Sequence, residues 1–171
     1  NSTQFPFAHD RPTLTISDPL GDTLVVKPNF SDSTNISRIQ VKTFYEHEKS
    51  ELIVSIISAM NLSPRTNGQY RNPYAKLFLL PDRSEAAKRR TKTMHNCNNP
   101  VWGQTFSFEN IRWSELRSRA LEITVWDFDR FGTNDFLGEI TIDLGSSPLD
   151  VEPEWHYLNV SKTRIPVALR Q

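Results

Sequence analysis

Alternation of apolar and polar residues with a period of two constrains this chain more than any other feature. Leu52, Val54 and Ile56 alternate with Ile53, Ser55 and Ile57, and Ala75, Leu77 and Leu79 alternate with Lys76 and Phe78. Leu121, Ile123 and Val125 alternate with Glu122, Thr124 and Trp126; Ile140, Ile142 and Leu144 alternate with Glu139, Thr141 and Asp143. Successive residues of a strand point to opposite faces, so each run offers one apolar face to a core. Pro, Gly and Asn clusters break the runs, which suits a sandwich of short antiparallel strands. The pattern predicts eight strands, near 38–44, 51–58, 74–80, 88–94, 102–108, 120–126, 137–144 and 155–160. One or two helical turns fit near 112–119, with Ser114 as a cap ahead of Glu115, Leu116 and Arg117. No Gly-rich phosphate loop joins a strand to a helix, and repeated βαβ units have no room, so nucleotide-binding α/β folds are poor candidates.

The alternation covers only part of the 171 residues. Residues 1–37 carry Pro6, Pro12, Pro19 and Pro28 among many Ser, Thr, Asp and Asn, and read as a linker or an appended N-terminal segment. The all-β domain is expected over 38–160, with a C-terminal tail over 161–171. Lys and Arg total 20, as do Asp and Glu, and this balance argues against a uniformly basic nucleic-acid binder. No apolar run approaches the roughly 20 residues of a membrane span. A single cysteine, Cys97, forbids an internal disulfide and favours a reducing compartment.

Chemistry concentrates in three places. Asp127-Phe128-Asp129 is followed by Asp135 across a turn containing Gly132, Thr133 and Asn134. Alternation puts Asp127 and Asp129 on one side, and the turn lets Asp135 join them. Carboxylates gathered on a flexible loop repel unless a cation sits among them, and hard oxygen ligands of this kind suit calcium better than magnesium. The plain alternative is a solvated acidic turn. Second, Asn67-Gly68 through Asn72-Pro73-Tyr74 is a turn-forming stretch. Third, Lys88, Arg89, Arg90 and Lys92 fall in one expected strand and Lys76 in another; period two puts Lys88, Arg90 and Lys92 on one face. Like charges across strands cost stability, so the cluster invites an anionic partner, unless it is a solvated edge that discourages aggregation.

These features, in this order, resemble the C2 domains of membrane-trafficking proteins. The likeness runs from Glu51 to Leu158 and is carried by Leu52-Ile53-Val54-Ser55-Ile56, Asn72-Pro73-Tyr74-Ala75-Lys76-Leu77, Asn99-Pro100-Val101-Trp102, Val125-Trp126-Asp127-Phe128-Asp129-Arg130-Phe131 and Phe136-Leu137-Gly138-Glu139. Within that family Arg71-Asn72-Pro73-Tyr74, Leu80-Pro81-Asp82-Arg83-Ser84, Lys88-Arg89-Arg90-Thr91-Lys92-Thr93 and Glu152-Pro153-Glu154-Trp155 are most similar to the first C2 domain of the RIM proteins, then to piccolo, both presynaptic active-zone scaffolds.

The resemblance implies an eight-stranded antiparallel β-sandwich with synaptotagmin-like topology, and a calcium site formed by two Asp residues of the first top loop and three of the third. The third-loop set is present as Asp127, Asp129 and Asp135. The first-loop positions fall on Thr66 and Asn72, neither anionic, so calcium affinity should be severely reduced and no cofactor is expected. Arg65 and Arg71 flank the vacated positions, where a guanidinium can take the place of the metal. Phe131 marks one loop tip; Arg65, Tyr70 and Arg71 make the other polar. The expected role is therefore non-catalytic: calcium-independent binding of presynaptic release proteins, acidic phospholipid headgroups or both, at the cytoplasmic side of the active-zone membrane, in synaptic vesicle exocytosis. The set Lys76, Lys88, Arg89, Arg90 and Lys92 is the expected anion-facing surface. The alternative is calcium-dependent phospholipid binding through the remaining aspartates. An enzyme is disfavoured because His9, His47, His95 and His156 lie in unrelated segments. An extracellular adhesion sandwich is disfavoured by the lack of disulfides, although Asn35-Ile36-Ser37 and Asn159-Val160-Ser161 match the glycosylation pattern.

Overall fold

The computed structural model describes residues 35–150 and 152–161, together with the backbone of two short strands at 14–17 and 23–26. Most of the expected linker and the tail from residue 162 onward lie outside the described residues. The two short strands, β1 (Leu14–Ser17) and β2 (Thr23–Val26), pair antiparallel with each other.

The alternating runs become β3 (Arg38–Glu46), β4 (Glu51–Met60), β5 (Pro73–Leu80), β6 (Arg89–Arg90), β7 (Val101–Phe108), β8 (Ala120–Asp127), β9 (Asp135–Asp143) and β10 (Glu154–Tyr157). They form two four-stranded antiparallel sheets, ordered β10-β3-β4-β7 and β6-β5-β8-β9. The eight-stranded sandwich expected from the periodicity is the fold. Inward rows supply the core: Ile39 and Val41, then Leu52, Val54 and Ile56, meet Ala75, Leu77 and Leu79, then Leu121, Ile123 and Val125. Removing such side chains from water is the main stabilising contribution, roughly 1.5–3 kcal/mol for each large aliphatic one.

Two elements depart from expectation. The strand expected over 88–94 pairs with β5 only at Arg89 and Arg90. Thr91 is buried at 3% exposure, and its hydroxyl accepts the Ala75 N–H at 2.9 Å, taking the position of a ladder carbonyl. Lys92 then donates its N–H to Gln104 Oε1 of β7, in the other sheet, at 2.6 Å. The helix is one turn, α1 (Trp113–Leu116), capped by Arg112 without a side-chain hydrogen bond, so Ser114 lies inside it rather than capping it. Leu116, fully buried, anchors that turn to the core.

The last strand ties the two sheets together. β10 pairs with β3, and two residues beyond it Asn159 bridges to Glu139 of β9. The crossing passes so close to Gly138 that a Cβ there would lie 2.8 Å from Leu158 Cβ.

Candidate functional site

Asp127 and Asp135 are direct cross-strand partners at the end of the β8–β9 pair. Asp127 continues the inward row of Leu121, Ile123 and Val125, so alternation delivers its carboxylate to the mouth of the core, where the residue is 2% exposed. A buried carboxylate facing a second acid across the ladder needs positive charge and donors. The loop between β4 and β5 supplies both. Arg65 Nε and Nη2 donate to Asp127 Oδ2 and Oδ1 at 2.8 and 3.1 Å, the forked geometry that suits guanidinium and carboxylate. Arg71 Nη1 lies between the two acids, 3.3 Å from Asp127 Oδ2 and 3.2 Å from Asp135 Oδ2. The Asn72 N–H donates to Asp127 Oδ1 at 2.6 Å.

Arg71 also holds its own loop: Nε donates to the Ser63 carbonyl at 2.7 Å and Nη2 to the Pro64 carbonyl at 3.1 Å. One side chain thus cross-links the first and third top loops through carbonyl and carboxylate oxygens, the ligand types a bridging metal would collect. Burial raises the Asp127 pKa, but the bonds from Arg65, Asn72 and Arg71 outweigh it and hold the carboxyl below the ordinary range. Its hydrogen bond and charge in turn raise the Arg65 pKa.

The third aspartate is not part of this cluster of contacts. Asp129 accepts the Phe131 N–H on Oδ1 at 2.9 Å and donates its own N–H to Asn134 Oδ1, closing the third loop locally. Among the described residues no group of three or more Asp, Glu, His or Cys side chains is arranged to hold a metal. The vacated positions are also occupied with other work. Thr66 is exposed in a turn closed by the Gly68 N–H on the Arg65 carbonyl at 2.8 Å, with Gly68 at a φ of 78°. Asn72 accepts the Asn96 N–H at 3.0 Å and directs its side-chain amide at the Phe128 carbonyl at 3.4 Å. The Arg71 guanidinium thus sits between Asp127 and Asp135, with Arg65 beside Asp127.

A second constellation lies on the outer face of the β6-β5-β8-β9 sheet. Lys76 and Arg90 are cross-strand partners. Each cation lies over an aromatic face: Lys76 Nζ is 4.6 Å from the Trp126 ring centre, and Arg90 is 3.8 Å from that of Tyr74 and 6.0 Å from that of Phe128. Trp126 is braced edge-on by Phe136 at 5.4 Å and donates Nε1–H to Thr124 Oγ1 at 2.9 Å. Rings beneath the cations absorb part of their mutual repulsion and orient them. Lys92 is exposed nearby in sequence. Lys88 instead pairs with Glu85. Arg89 turns away: Nε and Nη2 donate to the Ser107 carbonyl at 3.2 and 3.0 Å, and the guanidinium stacks 4.8 Å from the Phe108 ring. The same face carries an opposite charge farther along, where Glu122 takes a two-pronged bond from Arg83, both contacts 2.7 Å.

Of the loop tips, Phe131 is 92% exposed and Tyr70 is 62% exposed. The sequence reading gave no site role to Tyr74, Trp126, Asn96 or Asn98, the last of which accepts the Arg71 N–H at 2.9 Å. The available signals were the aromatic positions two residues from Lys76 and next to Asp127, and the asparagine-rich stretch 96–99.

Comparison with known proteins agrees with this architecture. The C2 domain family model matches residues 50–158. The chain is 47% identical over 115 residues to Rab-3-interacting molecule unc-10 of Caenorhabditis elegans, a match covering 67% of this chain and 7% of that protein. It is 40% identical over 156 residues to Regulating synaptic membrane exocytosis protein 1 of Mus musculus, covering 87% of this chain and 10% of that one. Protein piccolo of Homo sapiens is 41% identical over 129 residues, covering 70% of this chain and 2% of piccolo. The crystal structure of a RIM C2 domain from Drosophila superposes with a TM-score of 0.71 at 49% identity, covering 72% of this chain and 98% of that domain. The chain thus spans a tenth or less of each of these three relatives. On its strand order, its family match and its identity to these domains, the chain belongs to the C2 domain family, where it matches the C2 domains of the RIM and piccolo proteins.

Proposed function

We propose that this C2 domain is a non-catalytic docking module of the presynaptic release machinery and that it engages its partner without calcium. The observation that carries the reading is the position of Arg71 between Asp127 and Asp135, with Arg65 on the other side of Asp127. A calcium ion entering there must displace two guanidinium groups and then find only part of the six to eight oxygens it takes. The loops are already cross-linked, so docking does not await a metal. The names of the relatives, which include synaptic membrane exocytosis, supply the cellular setting.

The surface assigned to the partner is the outer face around Lys76, Arg90 and Lys92, presented to an acidic phospholipid surface. From Arg65 to Lys92 eight basic residues stand against two acidic ones, a balance of +6, while Leu121 to Glu154 carries nine acidic residues against Arg130, a balance of −8. A module so divided approaches an anionic surface in one preferred orientation. The test is sedimentation with vesicles containing phosphatidylserine and phosphoinositide, in chelator and in 1 mM calcium, beside a calcium titration by calorimetry. Equal binding in both, with no heat indicating a dissociation constant below about 100 µM, is the expected result. Binding that needs calcium would replace this reading with a calcium-dependent one through the remaining aspartates, and no vesicle binding would point to an acidic protein instead.

A further inference from the structure

An inward position of a sandwich strand ordinarily holds an apolar side chain. In β3 the inward row is Ile39, Val41, Thr43 and Tyr45, all buried, with the polar Thr43 at 8% exposure. The edge strand β10 repeats the departure. Glu154 is the cross-strand partner of Val41 and His156 that of Ile39, so both turn to the same inner side as those residues. At the open edge between the sheets, Thr43, Ser147, Glu152, Glu154 and His156 wall a cavity of about 20 Å³ over an apolar floor of Val41 and Ile142. That is room for one group the size of a water or an ammonium.

The cavity is held in shape from outside. The Tyr45 N–H donates to Asp150 Oδ1 at 2.9 Å and the Asp150 N–H to the Thr43 carbonyl at 3.0 Å, which clamps the loop after β9 onto β3. The Ser147 N–H donates to the Asp143 carbonyl at 2.9 Å, and Arg117 Nη1 donates to the Ser147 carbonyl at 3.2 Å. The lining itself lacks partners. Among the described residues Glu152 and Glu154 are in no ion pair, and the Thr43 hydroxyl and the His156 ring make no hydrogen bond. A buried hydroxyl without a partner costs stability, so folding alone does not account for Thr43 in this row. Burial lowers the His156 pKa, which leaves a neutral ring with one accepting nitrogen at neutral pH. The walls are therefore acceptors throughout, with two negative charges at the rim.

That set selects its occupant. An ammonium carries a positive charge and three donors with no acceptor. A metal ion needs oxygen and nitrogen ligands gathered at about 2.0–2.6 Å, and these side chains are not arranged to hold one. Ammonium bonds form at the longer distance of about 2.7–3.2 Å. The planar five-donor fork of arginine demands more room than this cavity has, whereas the methylenes of lysine can lie along Val41, Ile142 and Pro148.

We infer that this notch is a docking site for a lysine side chain of a basic partner protein. It lies on the inner side of the sheets, whereas Lys76 and Arg90 lie on an outer face, so this reading and the vesicle reading stand or fall separately. The test follows the isotope-labelled whole chain by NMR while a blocked pentapeptide with one central lysine is added. The Thr43 and Ser147 amides and the His156 ring should shift saturably. Acetylating the lysine, or Glu152→Gln with Glu154→Gln, should weaken binding at least about tenfold, the effect of losing roughly 1.4 kcal/mol. Thr43→Val should weaken binding while raising the melting temperature, a pair of effects that a purely structural hydroxyl would not give. The inference is overturned by an acetylated peptide that binds as well as the parent, by an arginine peptide that binds as tightly as the lysine one, or by Thr43→Val leaving affinity unchanged. Shifts at Asp129 and Asp135 as large as those at the notch would also overturn it, since the attraction would then be diffuse.

Discussion

At the scale of single residues, Asp127 concentrates the electrostatics of the top loops. Its side chain is 3% exposed and takes bonds from Arg65, Arg71 and the Asn72 amide. Asp127→Asn keeps the shape but leaves two guanidinium groups facing a neutral amide, which cannot accept on both sides. Removing one member of a buried pair costs about 3–5 kcal/mol; because the Arg65 side chain keeps 27% exposure, about 1–3 kcal/mol is expected here. In a chain of this length each kcal/mol lowers the melting temperature by about 2–4 °C. Asp129→Asn, which keeps an oxygen to accept the Phe131 N–H, should stay within about 0.5 kcal/mol of the parent. The pH dependence has a definite sign. Because the folded Asp127 pKa is lowered, its contribution is present above the unfolded value of about 3.9 and is lost as pH falls through the folded value. The gap in melting temperature between parent and Asp127→Asn should therefore close below about pH 4. Burial also lowers the His156 pKa, which erodes stability below about pH 6.5 in both proteins alike and so cancels in that difference. A melting temperature unchanged by Asp127→Asn at neutral pH would remove the arginine pairing from the account.

At the scale of elements, the join between the sheets depends on the absence of one side chain. Gly138 faces the crossing segment, and a methyl group there would meet Leu158 Cβ at 2.8 Å and the Asn159 carbonyl at 3.5 Å. Leu158 is 6% exposed in the core and cannot retreat without opening a void. Gly138→Ala should destabilise by about 1–3 kcal/mol. It should also speed hydrogen exchange at the reciprocal Glu139 and Asn159 amides, whose bonds are 2.9 and 2.8 Å, ahead of those in β4. Unchanged protection of that pair would mean the crossing tolerates the methyl. Strands such as β4, β5, β8 and β9 were legible in the sequence because their inward rows are unbroken aliphatics, and the burial of Asp127 follows from its place two residues beyond Val125. The segment 88–94 was not. Its charges suggested continued alternation, but Thr91 turns its hydroxyl into the ladder, and Arg89 finds the Ser107 carbonyl of the other sheet. Those partners come from strands distant in sequence, so local spacing could not name them. Arg65 and Arg71, by contrast, were marked by adjacency to the vacated positions, while the division of labour between them depends on the loop's backbone path.

At the scale of the whole molecule, a net charge of zero conceals a separation between a basic and an acidic segment. Such a separation acts over distance only while salt permits: the screening length falls from about 30 Å at 0.01 M to about 8 Å at 0.15 M. Binding to anionic vesicles through the proposed face should therefore weaken steeply over that range. Each basic residue near an anionic surface contributes about 1 kcal/mol, so Lys76→Ala with Arg90→Ala should lose about 2 kcal/mol, or roughly 30-fold in affinity. Lys49→Ala, in the exposed turn between β3 and β4, removes one such charge far from that face in the sheet order and should change binding little. The comparison separates location from net charge. If Lys49→Ala weakened vesicle binding as much per charge as the Lys76 and Arg90 changes, the attraction would be that of a diffuse polyelectrolyte, and the aromatic-supported pair would carry no directional role. A position-dependent loss, the same in chelator and in calcium, would instead mean that orientation is built into the folded domain by Tyr74, Trp126 and the register of β5 with β6.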